Sequence, residues 1–133
     1  MSKENVEIVR EVFKDFNSED IGRIVAAVHP ELEVVIPPEV SAEPDTYLGP
    51  EGIRRYFQSF QDAMDEIRFE PERLWDAGDS VVVSLRVTAK GRQTAIAVEQ
   101  RSAGVWTIRD GQIIRVRSYA SLAEALQAVG LRD

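Results

Sequence analysis

The segment from Asp110 to Leu131 constrains the fold more than any other stretch of the chain. It opens on Asp110-Gly111, a two-residue turn signal, and alternates as a strand from Gln112 to Tyr119. Ser121 then stands three residues before Glu124, the spacing of a capping box. The helix begun there carries Leu122, Leu126 and Val129 on one face and ends at Gly130. A hairpin strand that runs straight into a short closing helix finishes and covers a curved antiparallel sheet. With the helical segments at the front of the chain, it predicts an α+β fold. The expected form is a cone-shaped single domain over residues 1–133, its curved antiparallel sheet wrapped around helices and enclosing an apolar pocket.

The remaining elements follow from periodicity. Val6, Val9, Phe13 and Phe16 recur at helical spacing, with Ile8 and Val12 widening the stripe, which predicts a helix over 3–16. Ile21, Ile24, Val25 and Val28 mark a second helix that must stop before Pro30. Leu32, Val34 and Ile36 read as a strand halted by Pro37-Pro38, and residues 37–48 as a loop. Gly49-Pro50-Glu51 opens a third helix with Ile53, Tyr56, Phe57, Phe60 and Met64 on its apolar face. Strands are expected over 67–75, 80–88, 94–108 and 112–120, with a bulge at Gly104 in the longest. The helices are expected on one face of the sheet.

Strand alternation assigns the faces. Val81, Val83, Leu85 and Val87 point inward, as do Gln100, Ser102, Gly104, Trp106 and Ile108. In the last strand the inward set is Ile114, Val116, Ser118 and Ala120. The outer face then carries Arg86, Arg101, Arg115 and Arg117 with Glu99, beside apolar Val82, Val105, Ile113 and Tyr119. Such a face is either solvated through charge pairs or buried in a dimer, and the apolar members make plain solvation less comfortable.

Composition excludes more than it names. A net charge of −7 opposes nucleic-acid or anionic-membrane partners. With no cysteine, disulfides, thiolate nucleophiles and thiolate metal sites are ruled out. No apolar run approaches the roughly 20 residues of a membrane span. The first residues, Met1 to Asn5, lack the apolar core of a signal peptide, so a cytoplasmic location is expected.

Several motifs, in order along nearly the whole chain, carry a resemblance. They are Val28-His29-Pro30-Glu31-Leu32, Tyr47 to Ile53, Asp76 to Val81, Arg109 to Ile113, and Tyr119 through Leu131. Together they resemble the SnoaL-like, polyketide-cyclase-like branch of the nuclear transport factor 2-like and ketosteroid-isomerase-like superfamily. The resemblance implies a homodimer whose protomers each enclose an apolar pocket. It implies no single activity, because this fold hosts isomerases, cyclases, hydrolases, dehydratases and binders. Matched by motif, the isomerase tyrosine, base and second oxyanion donor fall on Val12, Ile36 and Gly104. None can do that chemistry. The paired aspartates of an epoxide-hydrolase site, and the acid of a cyclase, are likewise missing from the inward residues of the last two strands.

The candidates for ligand contact are Tyr56, Phe60, Gln100, Ser102, Trp106 and Ser118. Tyr56 and Trp106 offer a ring and a donor; Gln100 and the serines are polar groups on an apolar face. Each also reads as ordinary core. His29 is either a catalyst partnered by Glu31 or Glu33, or the cap of the second helix. Asp62 and Asp65 are either a paired acid site or the solvent face of the third helix. Glu39, Glu43 and Asp45 sit in a loop able to fold over the pocket mouth. No metal or other cofactor is expected. Three functions stay open: a binder of a small apolar ligand, an enzyme using relocated residues, or an interaction module with its interior filled by Phe13, Phe16, Phe57, Phe60 and Trp106. A cavity of at least about 300 Å3 would favour the first two, and a collapsed, dry interior would oppose them.

Overall fold

The computed structural model describes residues 2–37 and 45–131. Its first helix, α1 (Ser2–Asn17), buries Val9, Val12, Phe13 and Phe16, the stripe that the spacing predicts. Helix α2 (Ile21–Ala26) is capped by Asp20, whose Oδ1 accepts the Arg23 N–H at 3.2 Å. Strands β1 (Val28–Ile36) and β2 (Asp45–Leu48) precede helix α3 (Gly49–Ala63). Strands β3 (Met64–Ala77), β4 (Ser80–Gly91), β5 (Ala97–Arg109) and β6 (Gln112–Tyr119) follow, and α4 (Leu122–Ala128) closes the chain.

All six strands form one curved sheet in the order β2-β1-β6-β5-β4-β3. Its pairings are antiparallel except β1 with β6, which is parallel. The α+β architecture expected from the sequence is therefore present. The main core lies between α1, α2 and α3 and the inner face, where Ile24, Leu32, Val34, Ile53, Val81 and Val83 are almost wholly buried.

Five local expectations are corrected. Val28, His29 and Pro30 belong to β1 and do not end α2. The β1–β6 register is irregular between Val28 and Glu33, so a proline without an N–H interrupts no regular ladder there. Part of the expected loop over 37–48 is strand β2. The strand placed over 67–75 runs from Met64 to Ala77; Pro71 is tolerated because β3 is the sheet edge and shifts register beside it. The strand placed over 94–108 starts at Ala97, and its pairing with β4 runs through Gly104 without a bulge. The irregularity lies instead between Thr107 and Ile108, where Ile108 pairs with Ile113 while Thr107 pairs with Arg115. That offset turns Ile113 inward, fully buried, and takes Ile114 out of the inner set.

The fifth correction is the side taken by the closing helix. The Ser121 hydroxyl accepts the Glu124 N–H at 3.2 Å, as the capping spacing predicts. Yet Ala125 and Leu126 of α4 pack on Val82, Ala103 and Val105, which point away from the main core. Helices therefore cover both faces. Much of the apolar surface read as a dimer patch is covered by the chain's own last helix.

Candidate functional site

Four of the six candidate residues meet at one place. Tyr56 of α3, Ser102 and Trp106 of β5, and Ser118 of β6 line a cavity of about 40 Å3 against Phe13, Val83, Leu85 and Val116. Sheet register accounts for the meeting. Leu85 pairs with Ser102, Gly104 with Ser118 and Trp106 with Val116, so successive inward positions of three strands face α1 and α3. Sequence alternation identifies Val83, Leu85 and Val116 as inward but gives no reason to single them out.

Gly104 shapes the polar end. A Cβ at this position would lie 3.3 Å from the Arg117 carbonyl oxygen and 3.4 Å from Trp106 Nε1. The missing side chain leaves room for the indole nitrogen on the cavity wall. Trp106 itself is 7% exposed and packs its ring 5.0 Å from Phe13. Among the described residues, its N–H and the hydroxyls of Ser102 and Ser118 have no hydrogen-bond partner, and all three residues border the open space.

Tyr56 forms the helix side of the cavity. Its ring stands edge-on to Tyr47 of β2 at 5.3 Å, and the Arg55 guanidinium lies 4.6 Å from the Tyr47 ring centroid. Arg55 also pairs with Asp45 at 3.4 Å, which ties α3 to β2 beside Tyr56. Burial, reinforced by Tyr47, pushes the Tyr56 phenol up to about 12, so it remains a neutral hydroxyl. In the sequence Tyr47 stands out only as the start of the Tyr47 to Ile53 motif, because the stretch it lies in reads as loop.

Aromatic side chains fill most of the deeper interior. Phe16 stacks on Phe57 at 5.5 Å and tilts against Phe69 at 5.3 Å. The remaining space is well below the roughly 300 Å3 of a preformed ligand pocket. It admits a water molecule or one ligand atom group. A depression of about 840 Å3 elsewhere, lined by residues including Glu19, Leu48, Arg54, Arg55 and Asp62, is an open groove beside α3 with charges of both signs.

The other candidates lie apart. Gln100 pairs with Val87 but is exposed and does not line the cavity. Phe60 is in α3, and its side chain is outside the described residues, as are Glu39 and Glu43. His29 is in β1, where its Nδ1 accepts the Glu31 N–H at 2.9 Å, and so neither caps α2 nor enters the cavity. Asp62 ends α3 accepting from Gln58 at 2.9 Å, while Asp65 has passed into β3 and pairs with Arg92 at 3.3 Å. They do not share a helix face. Of the positions matched to isomerase residues, Val12 is buried core, Ile36 is half-buried and Gly104 is bare wall. Among the described residues, no group of three or more His, Asp or Glu side chains is placed to hold a metal ion. No helix among them is long and apolar enough to cross a membrane.

Comparison with known proteins places this geometry in a family. A SnoaL-like domain is matched over residues 9–116. An NTF2-like protein of unknown function from Burkholderia pseudomallei superposes with a TM-score of 0.78 at 19% identity, over 96% of this chain and 98% of that one. A Catenulispora acidiphila protein of ketosteroid-isomerase-like fold, in complex with trimethylamine, gives 0.75 at 17% identity, over 94% and 93%. TerC, co-crystallised with polyporic acid, gives 0.76 at 22% identity, over 95% and 98%. Among curated proteins, none matches.

Proposed function

The chain belongs to the SnoaL-like family, and from that premise we propose that it binds a small, largely apolar molecule without turning it over. One observation carries the reading: Tyr56, Ser102, Trp106 and Ser118 converge on a single cavity between apolar walls. A binding site needs that arrangement of a few placed polar groups on an apolar lining. Catalysis of the isomerase, cyclase or epoxide-hydrolase kind needs a group that gives or takes a proton near neutrality. The described lining has no Asp, Glu, His or Lys. The amine and polyporic acid held by two proteins of this fold differ in chemistry, and neither is carried over at such identities.

A cavity of about 40 Å3 has to open for any ligand larger than a solvent molecule. Half-buried Leu85, Tyr47 and Tyr56 are the side chains with room to move. Against the threshold of about 300 Å3, the small volume counts against a preformed pocket and favours a second reading, an interaction module whose interior is simply filled. The same proposal includes a homodimer through the part of the outer face that α4 leaves uncovered, and a cytoplasmic location.

Calorimetry and product analysis with steroid enones, epoxides and polyketide-like aromatics separate the readings. Saturable binding with unchanged compound is the expected result. Turnover would establish the enzyme alternative instead. Absence of binding across all three classes would leave the filled module.

A further inference from the structure

We propose that the cavity selects ligands by a neutral acceptor oxygen presented to the Trp106 indole N–H. The inference rests on the ligand-binding reading and names the chemical class that site takes. An indole nitrogen can only donate. This one belongs to a side chain 93% buried, lacks a partner among the described residues, and has space in front of it because position 104 has no side chain. A donor that faces the cavity without a protein partner is free to meet a solvent molecule or an acceptor entering the cavity.

The neighbours sharpen the choice. The Ser102 and Ser118 hydroxyls, which line the same cavity and are not committed elsewhere among the described residues, can rotate to offer further donors, Ser118 from directly across the strand pair from Gly104. Charge is disfavoured in both signs. The described lining contains no carboxylate to receive an ammonium and no Lys or Arg side chain to receive a carboxylate. Burying either ion there would be uncompensated. A ketone, quinone or lactone oxygen on an apolar ring system meets these chemical conditions once the cavity opens to admit it. The described lining also supplies no base to remove a proton beside that carbonyl. The ketone is therefore held and not enolised.

Calorimetric titration of the full chain with α-tetralone, tetralin, 1-aminotetralin and tetralin-1-carboxylate tests this directly. The ketone is expected to bind about tenfold tighter than tetralin, the gain of one or two good hydrogen bonds. The amine and carboxylate should bind no better than tetralin. Trp106→Phe and, as a milder change, Ser118→Ala should erode the ketone's advantage over tetralin, the two ligands being compared on the same variant. Equal affinity for ketone and tetralin, or a charged analogue binding tighter than the ketone, overturns the acceptor inference while ligand binding stands. No heat with any of the four, tetralin included, overturns the ligand-binding reading and this inference together.

Discussion

Asn17 grips Phe69 with both ends of its side-chain amide. Nδ2 donates to the Phe69 carbonyl at 2.8 Å, and the Phe69 N–H donates to Oδ1 at 2.7 Å. The last residue of α1 thus completes the hydrogen bonding of an edge strand and fixes where that helix crosses the sheet. Replacing it by Ala leaves two half-buried backbone groups without that partner. Asn17→Ala should cost about 1–3 kcal/mol, read as a lower denaturant midpoint with unchanged slope. Asn17→Asp should recover part of the loss, since it keeps the acceptor and loses the donor.

Leu126 is the anchor of the second core, 1% exposed against the outer face. Leu126→Ala should destabilise by about 2–4 kcal/mol, as large-to-small changes in filled cores do. Chemical denaturation checks the size. A value near zero would mean that α4 does not dock where Val82 and Val105 receive it.

Tyr56 should report its surroundings in an alkaline titration. Its phenol is raised to about 12 by burial and then by Tyr47, against an ordinary value near 10. The stability this contributes is present in full below pH 10 and is lost as pH rises through about 12, because the unfolded chain releases the proton first. Absorbance at phenolate wavelengths should show one late-titrating group that Tyr56→Phe removes. A tyrosine fully titrated near 10 would place the ring in water.

The uncovered part of the outer face is a lattice of charges. Arg86 pairs with Glu70 at 3.3 Å and Glu99 at 3.1 Å, and Arg101 with Glu72 at 3.1 Å. The Arg86 hydrogen bond, followed by its charge, holds the Glu99 carboxyl below its usual range. If two copies meet here, Arg101→Glu puts like charges at the seam. Light scattering should then fall from twice the chain mass towards the single-chain mass. A wild-type chain already at the single mass would remove the dimer from the proposed function.

Period and capping made most of this fold legible. The alternation of Val81, Val82 and Val83 gave both faces of β4 correctly, and Ser121 with Glu124 located α4. What escaped were features that depend on partners distant in sequence. Strict alternation cannot register the offset at Thr107 and Ile108, so it turned Ile113 outward. The apolar stripe of α4 says that it packs but not on which face. Gln100 has inward parity yet is exposed, and parity carries no information about cover. For the site, four residues were legible because they share one face of neighbouring strands and one helix stripe. The cavity's size was not, since it is set by how Phe13, Phe16 and Phe57 fit together.

The second core on the outer face bears on how the site can open. Val82 and Val83 are adjacent, and at most 1% of either is exposed, so β4 is a septum between two packed compartments. Ala103 is buried in the outer compartment and its neighbour Gly104 forms the cavity wall. A strand loaded from both sides resists bending, because any shift that widens one compartment crowds the other. The sheet is therefore the fixed jaw. If the proposed ligand enters, the motion that admits it falls to the opposite jaw, where Tyr56 packs on Tyr47 beside the exposed Arg55–Asp45 pair.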